Sequence, residues 1–169
     1  MVSRFLKKAA QDLVKEAVKE LQKTLLETFK DIILGSTTLD QKELVKLVAQ
    51  IDKMTGEEFE QFLSICFKRL GYVVRNTPKS NDFGADLILT KNGIKTVVQA
   101  KRYQNKVGSG AVQEVVGAIK YYGANNAIVI TNSKFTSSAR ALARPNLVEL
   151  WDREKLIELI IMAKDKPEV

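Results

Sequence analysis

From Val2 to Leu34, apolar residues recur at three- and four-residue steps through Leu6, Ala10, Leu13, Ala17, Leu21 and Leu25. That period predicts one long amphipathic helix, with Gly35 as its stop. A second helix is expected from Leu39 to about Lys53. Thr38 and Gln41 have capping-box spacing, and Leu44, Leu47, Val48 and Ile51 form the apolar stripe. From Thr55 the pattern changes to alternating helix and strand. Thr55 and Glu58 open a helix that turns Phe59, Phe62, Leu63, Cys66, Phe67 and Leu70 inward and ends at Gly71. A short strand over Tyr72–Asn76 leads into a polar loop over Thr77–Phe83. Ala85–Thr90 and Lys95–Lys101 then read as a hairpin about Asn92-Gly93. A helix is predicted over Ser109–Tyr122. The uniformly apolar Ala127–Thr131 has the composition of a buried interior strand. A short helix over Ser137–Arg144, a strand over Leu147–Trp151 and a helix capped by Asp152 and running to about Ala163 complete the order.

That order predicts an α/β domain over residues 54–169, a mixed sheet flanked by helices, preceded by an N-terminal helical hairpin over residues 1–53. The charges of the hairpin nearly balance, and its polar face mixes Lys with Glu. Packing, dimerisation or docking therefore suits it better than lying on a membrane or gripping DNA. An apolar fraction of 45% is enough for a real core. The single cysteine, Cys66, cannot form an internal disulfide, and no signal peptide opens the chain. A reducing, cytoplasmic compartment is expected. No apolar run approaches the ~18 residues of a membrane span. With no histidine present, imidazole bases, imidazole-built zinc sites and histidine-dependent triads are excluded. Hydrolytic chemistry would have to use carboxylates, lysine and an oxygen-ligated metal.

Charge is unevenly placed. Residues 71–144 hold eleven Lys/Arg and three acids, a net +8, so the remainder of this +7 chain is close to neutral. A basic middle segment suits a polyanion, most simply nucleic-acid phosphate. A merely solubilising surface would have no reason to place two of those three acids, Asp82 and Asp86, around one loop.

That loop precedes the most informative stretch. Asp86 starts one strand of the hairpin, while Gln99 and Lys101 lie two apart on the other and therefore share a face. Gly84, just before Asp86, allows close backbone approach. Carboxylate and amide oxygens at a strand end suit a hard divalent ion, magnesium or manganese. The Lys101 ammonium beside them would orient a water and offset charge on a phosphate. The alternative is a cross-strand salt bridge between Asp86 and Lys101 on a solvated sheet face. Asp82, four residues earlier in the loop, offers a carboxylate to a second metal, although loop aspartates more commonly satisfy turns.

Several separated motifs stand in register: Gly56-Glu-Glu-Phe-Glu60, Gly71-Tyr72, Asn81-Asp-Phe-Gly-Ala-Asp86, Val98-Gln-Ala-Lys-Arg-Tyr103, Ala127-Ile-Val-Ile-Thr-Asn132, Phe135-Thr136 with Ala139, and Leu150-Trp-Asp152. From about Met54 to Ile160 the chain resembles an Mrr-like restriction endonuclease domain of the PD-(D/E)XK nuclease superfamily. The resemblance does not cover the first 50 or so residues. It implies magnesium-dependent cleavage of DNA, with Asp86 as the metal-binding acid, Gln99 in place of the more usual Glu, and Lys101 as the catalytic lysine. It also matches Glu60 to an acid on the first helix that reaches over the site and restores charge missing at Gln99. Glu58 is explained by the capping box, and Glu57 by a favourable first-turn charge.

Phosphate contacts are expected from Lys79, Ser80, Arg102, Tyr103 and Lys106, with Gln113 on the following helix as another contact. Lys134, Thr136 and Arg140 are placed to add a phosphate site. Trp151 and the Tyr121–Tyr122 pair carry rings able to stack on bases, although aromatics at element ends more commonly belong to the core. The reading is a DNA endonuclease acting as a homodimer. A Holliday-junction or branched-DNA resolvase and a catalytically decayed DNA-binding module are the alternatives.

Overall fold

The computed structural model describes residues 27, 31–33, 41–78 and 83–166. The long helix expected before Gly35, its Thr38-capped successor's start, and loop residues Lys79, Ser80 and Asp82 lie outside the described residues, apart from helical positions at 27 and 31–33. The order thereafter is α1 (Gln41–Ile51), α2 (Gly56–Arg69), β1 (Val73–Asn76), β2 (Leu87–Lys91), β3 (Ile94–Lys101), α3 (Ser109–Tyr122), β4 (Asn126–Thr131), α4 (Ser137–Ala143), β5 (Val148–Trp151) and α5 (Arg153–Lys164). The five strands form one sheet in sequence order. β1–β2 and β2–β3 pair antiparallel, while β3–β4 and β4–β5 pair parallel.

Local chemistry explains the boundaries. At the start of α2 the Thr55 Oγ1 accepts from the Glu58 amide at 3.2 Å, and the Glu58 carboxylate accepts from the Thr55 amide at 2.6 Å, a complete capping box. The β2–β3 turn places Asn92 at φ 50 and Gly93 at φ 78, the two left-handed positions that an Asn-Gly hairpin turn requires. Asp152 caps α5 by accepting from the Lys155 amide. β2 begins two residues later than the alternation predicts, because Ala85 and Asp86 are held by Thr77. The Thr77 hydroxyl donates to both of their carbonyls, at 2.6 and 3.2 Å, and its amide donates to the Asp86 carbonyl at 3.0 Å.

Each face of the sheet has its own core. On one face Phe59, Phe62, Leu63, Cys66 and Phe67 of α2 pack with Leu87, Leu89, Val98, Ile128, Ile130 and with Leu156, Leu159 and Ile160 of α5. Leu47 and Ile51 of α1, Met54 and Ile33 join the same cluster, so the described part of the N-terminal extension packs against this layer. On the other face Val112, Val115, Ala111 and Ala118 of α3 and Ala139 and Ala143 of α4 pack with Ile88, Val97, Ala127 and Val129.

Candidate active site

The site forms where the antiparallel ladder runs out. Leu87 pairs with Val98, which places Asp86 opposite Gln99. Alternation sends Asp86, Ile88, Val97, Gln99 and Lys101 to the α3 side. The face is not solvated: Asp86 is 8% exposed and Gln99 is 4% exposed. The Asp86 amide donates to the Val98 carbonyl at 2.8 Å, extending the ladder by one rung. Its Oδ2 accepts from the Ala100 amide at 2.7 Å and from Gln99 Nε2 at 2.8 Å. Gln99 Oε1 is buried without a hydrogen-bond partner among the described residues.

Lys101 does not turn to Asp86 for its ion pair. Its ammonium lies 2.7 Å from Glu114 Oε2, on α3. Burial pulls the Lys101 ammonium down, but the hydrogen bond and charge of Glu114, with further help from Tyr103 and Asp86, more than offset it. The net shift is upward, so Lys101 is a cation at neutral pH, a hydrogen-bond donor and positive charge rather than a free amine.

Glu114 was not singled out by sequence reasoning, which stopped at its neighbour Gln113. Gln113 is exposed on α3. The signal was present: Glu114 is the third acid of the basic segment, and the fold brings it to the site beside Asp86. Gly84 makes that approach possible. Its φ of +85 is left-handed, and a Cβ there would sit 2.1 Å from the Glu114 carbonyl oxygen. The loop before Asp86 therefore lies against the backbone of α3 at the residue that grips Lys101.

A second polar cluster sits past the ends of β3 and β4. Arg153 Nη1 and Nη2 each donate to an Asp52 carboxylate oxygen at 2.7 Å, and Asn132 Nδ2 donates to Asp52 Oδ1 at 2.9 Å. Asn132 Oδ1 accepts from the Tyr103 amide at 2.8 Å. The Arg153 hydrogen bonds, with those of Asn132 and the charges of Arg153 and Arg102, hold the Asp52 carboxyl below the usual carboxylate range against the opposing effect of burial. Sequence reasoning placed Asn132 at the end of the Ala127–Asn132 motif without giving it a role, and missed Asp52 and Arg153, which lie in no local motif.

The expected phosphate contacts separate into groups. Tyr103, Lys106 and Lys134 line an open cleft of about 560 Å³ beside this network. Arg102 is turned inward, its Nη1 donating to the Asp52 carbonyl at 3.3 Å. Arg140 is exposed but paired with Asp152 at 3.3 Å. Glu60 is half-buried on α2, whose apolar stripe packs on the opposite side of the sheet from Asp86 and Lys101. Trp151 packs against Phe67 and belongs to the core layer, whereas Tyr121 is exposed.

A mixed five-stranded α/β sheet that sets an acid against a Gln-x-Lys pair at the end of an antiparallel ladder defines a nuclease of restriction-endonuclease type. The chain belongs to the restriction endonuclease family with the Mrr-type catalytic domain, whose model matches residues 51–160. It is 35% identical over 139 residues to the type IV methyl-directed restriction enzyme EcoKMrr of Escherichia coli K12, covering 73% of this chain and 46% of that protein. It is 29% identical over 128 residues to the uncharacterized protein y4cE of Sinorhizobium fredii, covering 68% and 32%. The chain thus spans less than half the length of either curated relative. Among solved structures, the DNA modification-dependent restriction endonuclease AspBHI superposes with a TM-score of 0.54 at 20% identity, covering 73% of this chain and 36% of that one. That likeness concerns the fold.

Proposed function

We propose that this domain hydrolyses phosphodiester bonds in DNA with the help of a divalent ion, Mg²⁺ or Mn²⁺, held at Asp86 and Gln99. The observation that supports this reading is Gln99 Oε1, buried next to the Asp86 carboxylate and without a hydrogen-bond partner among the described residues. An amide oxygen buried without a donor is costly unless something else satisfies it. The adjoining Asp86 carboxylate offers oxygen donors, and the chain has no histidine, which suits a hard cation. Among the described residues no three His, Cys, Asp or Glu side chains gather in a metal-binding cluster. Magnesium fits such a sparse set, because it is commonly held by one or two carboxylates together with waters and substrate phosphate. Glu60, half-buried on α2, is our proposal for a further donor.

When bound, the ion supplies Lewis-acid stabilisation of charge on the phosphate and leaving oxygen. The protein residues divide the remaining work. Asp86 is fixed by the Ala100 amide and Gln99, so its carboxylate is held ready before substrate arrives. Lys101 stays an ammonium, donating to the attacking water or to a phosphate oxygen. Glu114 holds that ammonium in place. Tyr103, Lys106 and Lys134, with Lys79, Ser80 and Gln113, are the proposed phosphate contacts, and residues 1–53 the proposed dimerisation or docking element. A cytoplasmic location belongs to the same proposal. Among the described residues no helix is long and apolar enough to cross a membrane.

Incubation with Mg²⁺ or Mn²⁺ and unmethylated, methylated or four-way-junction DNA tests this. Cleavage by the native protein and none by Asp86→Ala is expected. Kinship with a methyl-directed enzyme makes methylated duplex the first substrate to try. Junction DNA cut in preference to every linear duplex would move the assignment to a resolvase.

A further inference from the structure

Around the corner from Asp86, on the same face of the sheet, three aromatic rings meet at the surface. Phe83 and Tyr121 stack with centroids 3.8 Å apart and planes 19° apart, and Tyr122 meets Tyr121 edge-on at 4.8 Å. Neither partner of the stack is covered: Phe83 is 49% exposed and Tyr121 59%. Phe83 is held at φ 51, a left-handed conformation that bulky residues rarely adopt and that costs energy unless its surroundings enforce it. That cost places a large apolar ring in solvent, the opposite of what core packing would select.

The rings border a groove of about 510 Å³ lined by Arg75, Thr77, Pro78 and Ile88. Arg75 pairs in register with Ile88, so it belongs to the α3 side. Lys95 donates to the Tyr122 carbonyl at 2.9 Å, bringing a second cation to this end of the helix. Among the described residues no carboxylate lines the groove. Two structural links connect it to the active site. Phe83 and Asp86 stand three residues apart on one loop, and Tyr121 stands seven residues after Glu114 on α3. Seven residues of helix rise about 10 Å, or about three nucleotide steps along a strand.

We propose that the Phe83–Tyr121 stack and its groove receive one unpaired base of the DNA strand whose backbone passes Asp86 and Lys101, with Arg75 next to the adjoining phosphate. The proposal rests on the DNA-cleaving reading above and adds a preference for locally unpaired DNA beside the cut. Stacking on an aromatic ring is insensitive to sequence, because every base has a π-face.

Binding is measured by fluorescence anisotropy, without Mg²⁺ so that nothing is cut. The probes are a fully paired duplex and the same duplex with a short single-stranded gap containing a fluorescent adenine analogue. The native protein is expected to bind the gapped probe about fivefold or more tighter and to quench the analogue, as one stacked base implies. Tyr121→Ala, an exposed helical substitution that favours the helix, is expected to abolish both the preference and the quenching. Equal affinity of the native protein for both probes overturns the proposal, as does a Tyr121→Ala protein that keeps the preference. A fall in oligomeric mass on Tyr121→Ala also overturns it, by making the patch a contact between copies. Gap preference with quenching in a protein that cuts no DNA would uphold the platform and refute the nuclease reading. Cleavage without gap preference would do the reverse.

Discussion

The two faces of the sheet are built from residues of different size. One carries Phe59, Phe62, Phe67 and a set of leucines and isoleucines. The other is lined mostly with alanine and valine. Large residues bury the most apolar area and hold α2 and α5 on the sheet. Small residues let α3 come close enough for Gly84 to lie against the Glu114 backbone and for Glu114 to reach Lys101. The first face supplies stability, and the second gives up some of that packing to place polar groups around a buried acid.

If this division holds, damage to each face should differ in kind. Phe62→Ala on the heavy face should cost about 3–5 kcal/mol in urea unfolding, enough to consume much of the stability of a small domain. Any cleavage lost should return when the variant is assayed at a temperature where it is folded. Gly84→Ala on the light face should cost about 2–3 kcal/mol, from the left-handed φ and the clash with the Glu114 carbonyl. Its cleavage should stay low even where melting shows the protein folded, since the loop carrying Asp86 has moved. Glu114→Gln should leave the melting temperature almost unchanged, because the carboxylate is half-exposed. It should lower kcat about tenfold with little change in KM, and Glu114→Asp should recover part of the loss. An unchanged kcat in Glu114→Gln would make Glu114 dispensable for positioning Lys101.

The smallest effect belongs to the network that ties α1 to the rest. The folded carboxyl of Asp52 titrates below its unfolded value of about 3.9. Its contribution is therefore complete above that pH and is lost as pH falls through the folded value. Asp52→Asn should cost under about 1 kcal/mol at pH 7, given a half-exposed pair. The gap to the native protein should close on acidification. A gap that widens in acid would contradict the assigned sign.

What could be read from the sequence follows the range of the interaction. The capping box at Thr55 and Glu58, the Asn92-Gly93 turn and the shared face of Gln99 and Lys101 depend on a few neighbouring residues, and each stands where the pattern put it. Glu114 needed the spacing between α3 and the loop, which Gly84 sets from thirty residues away. Asp52 and Arg153 lie 101 residues apart. Arg102 shows the limit of counting charges: it adds to the basic segment, yet its guanidinium is directed to the Asp52 carbonyl. Phe83 sat in a loop read as polar, and nothing local announced that it would stack on Tyr121.

The central claim is that Lys101 and Asp86 work as a catalytic pair on a face that can lose them without unfolding. Its most direct test is a parallel measurement of DNA cleavage with Mg²⁺ and of thermal unfolding for the native protein and Lys101→Ala. Cleavage lower by about 100-fold or more with a melting temperature nearly unchanged is the predicted result. Cleavage undiminished in the variant would contradict it.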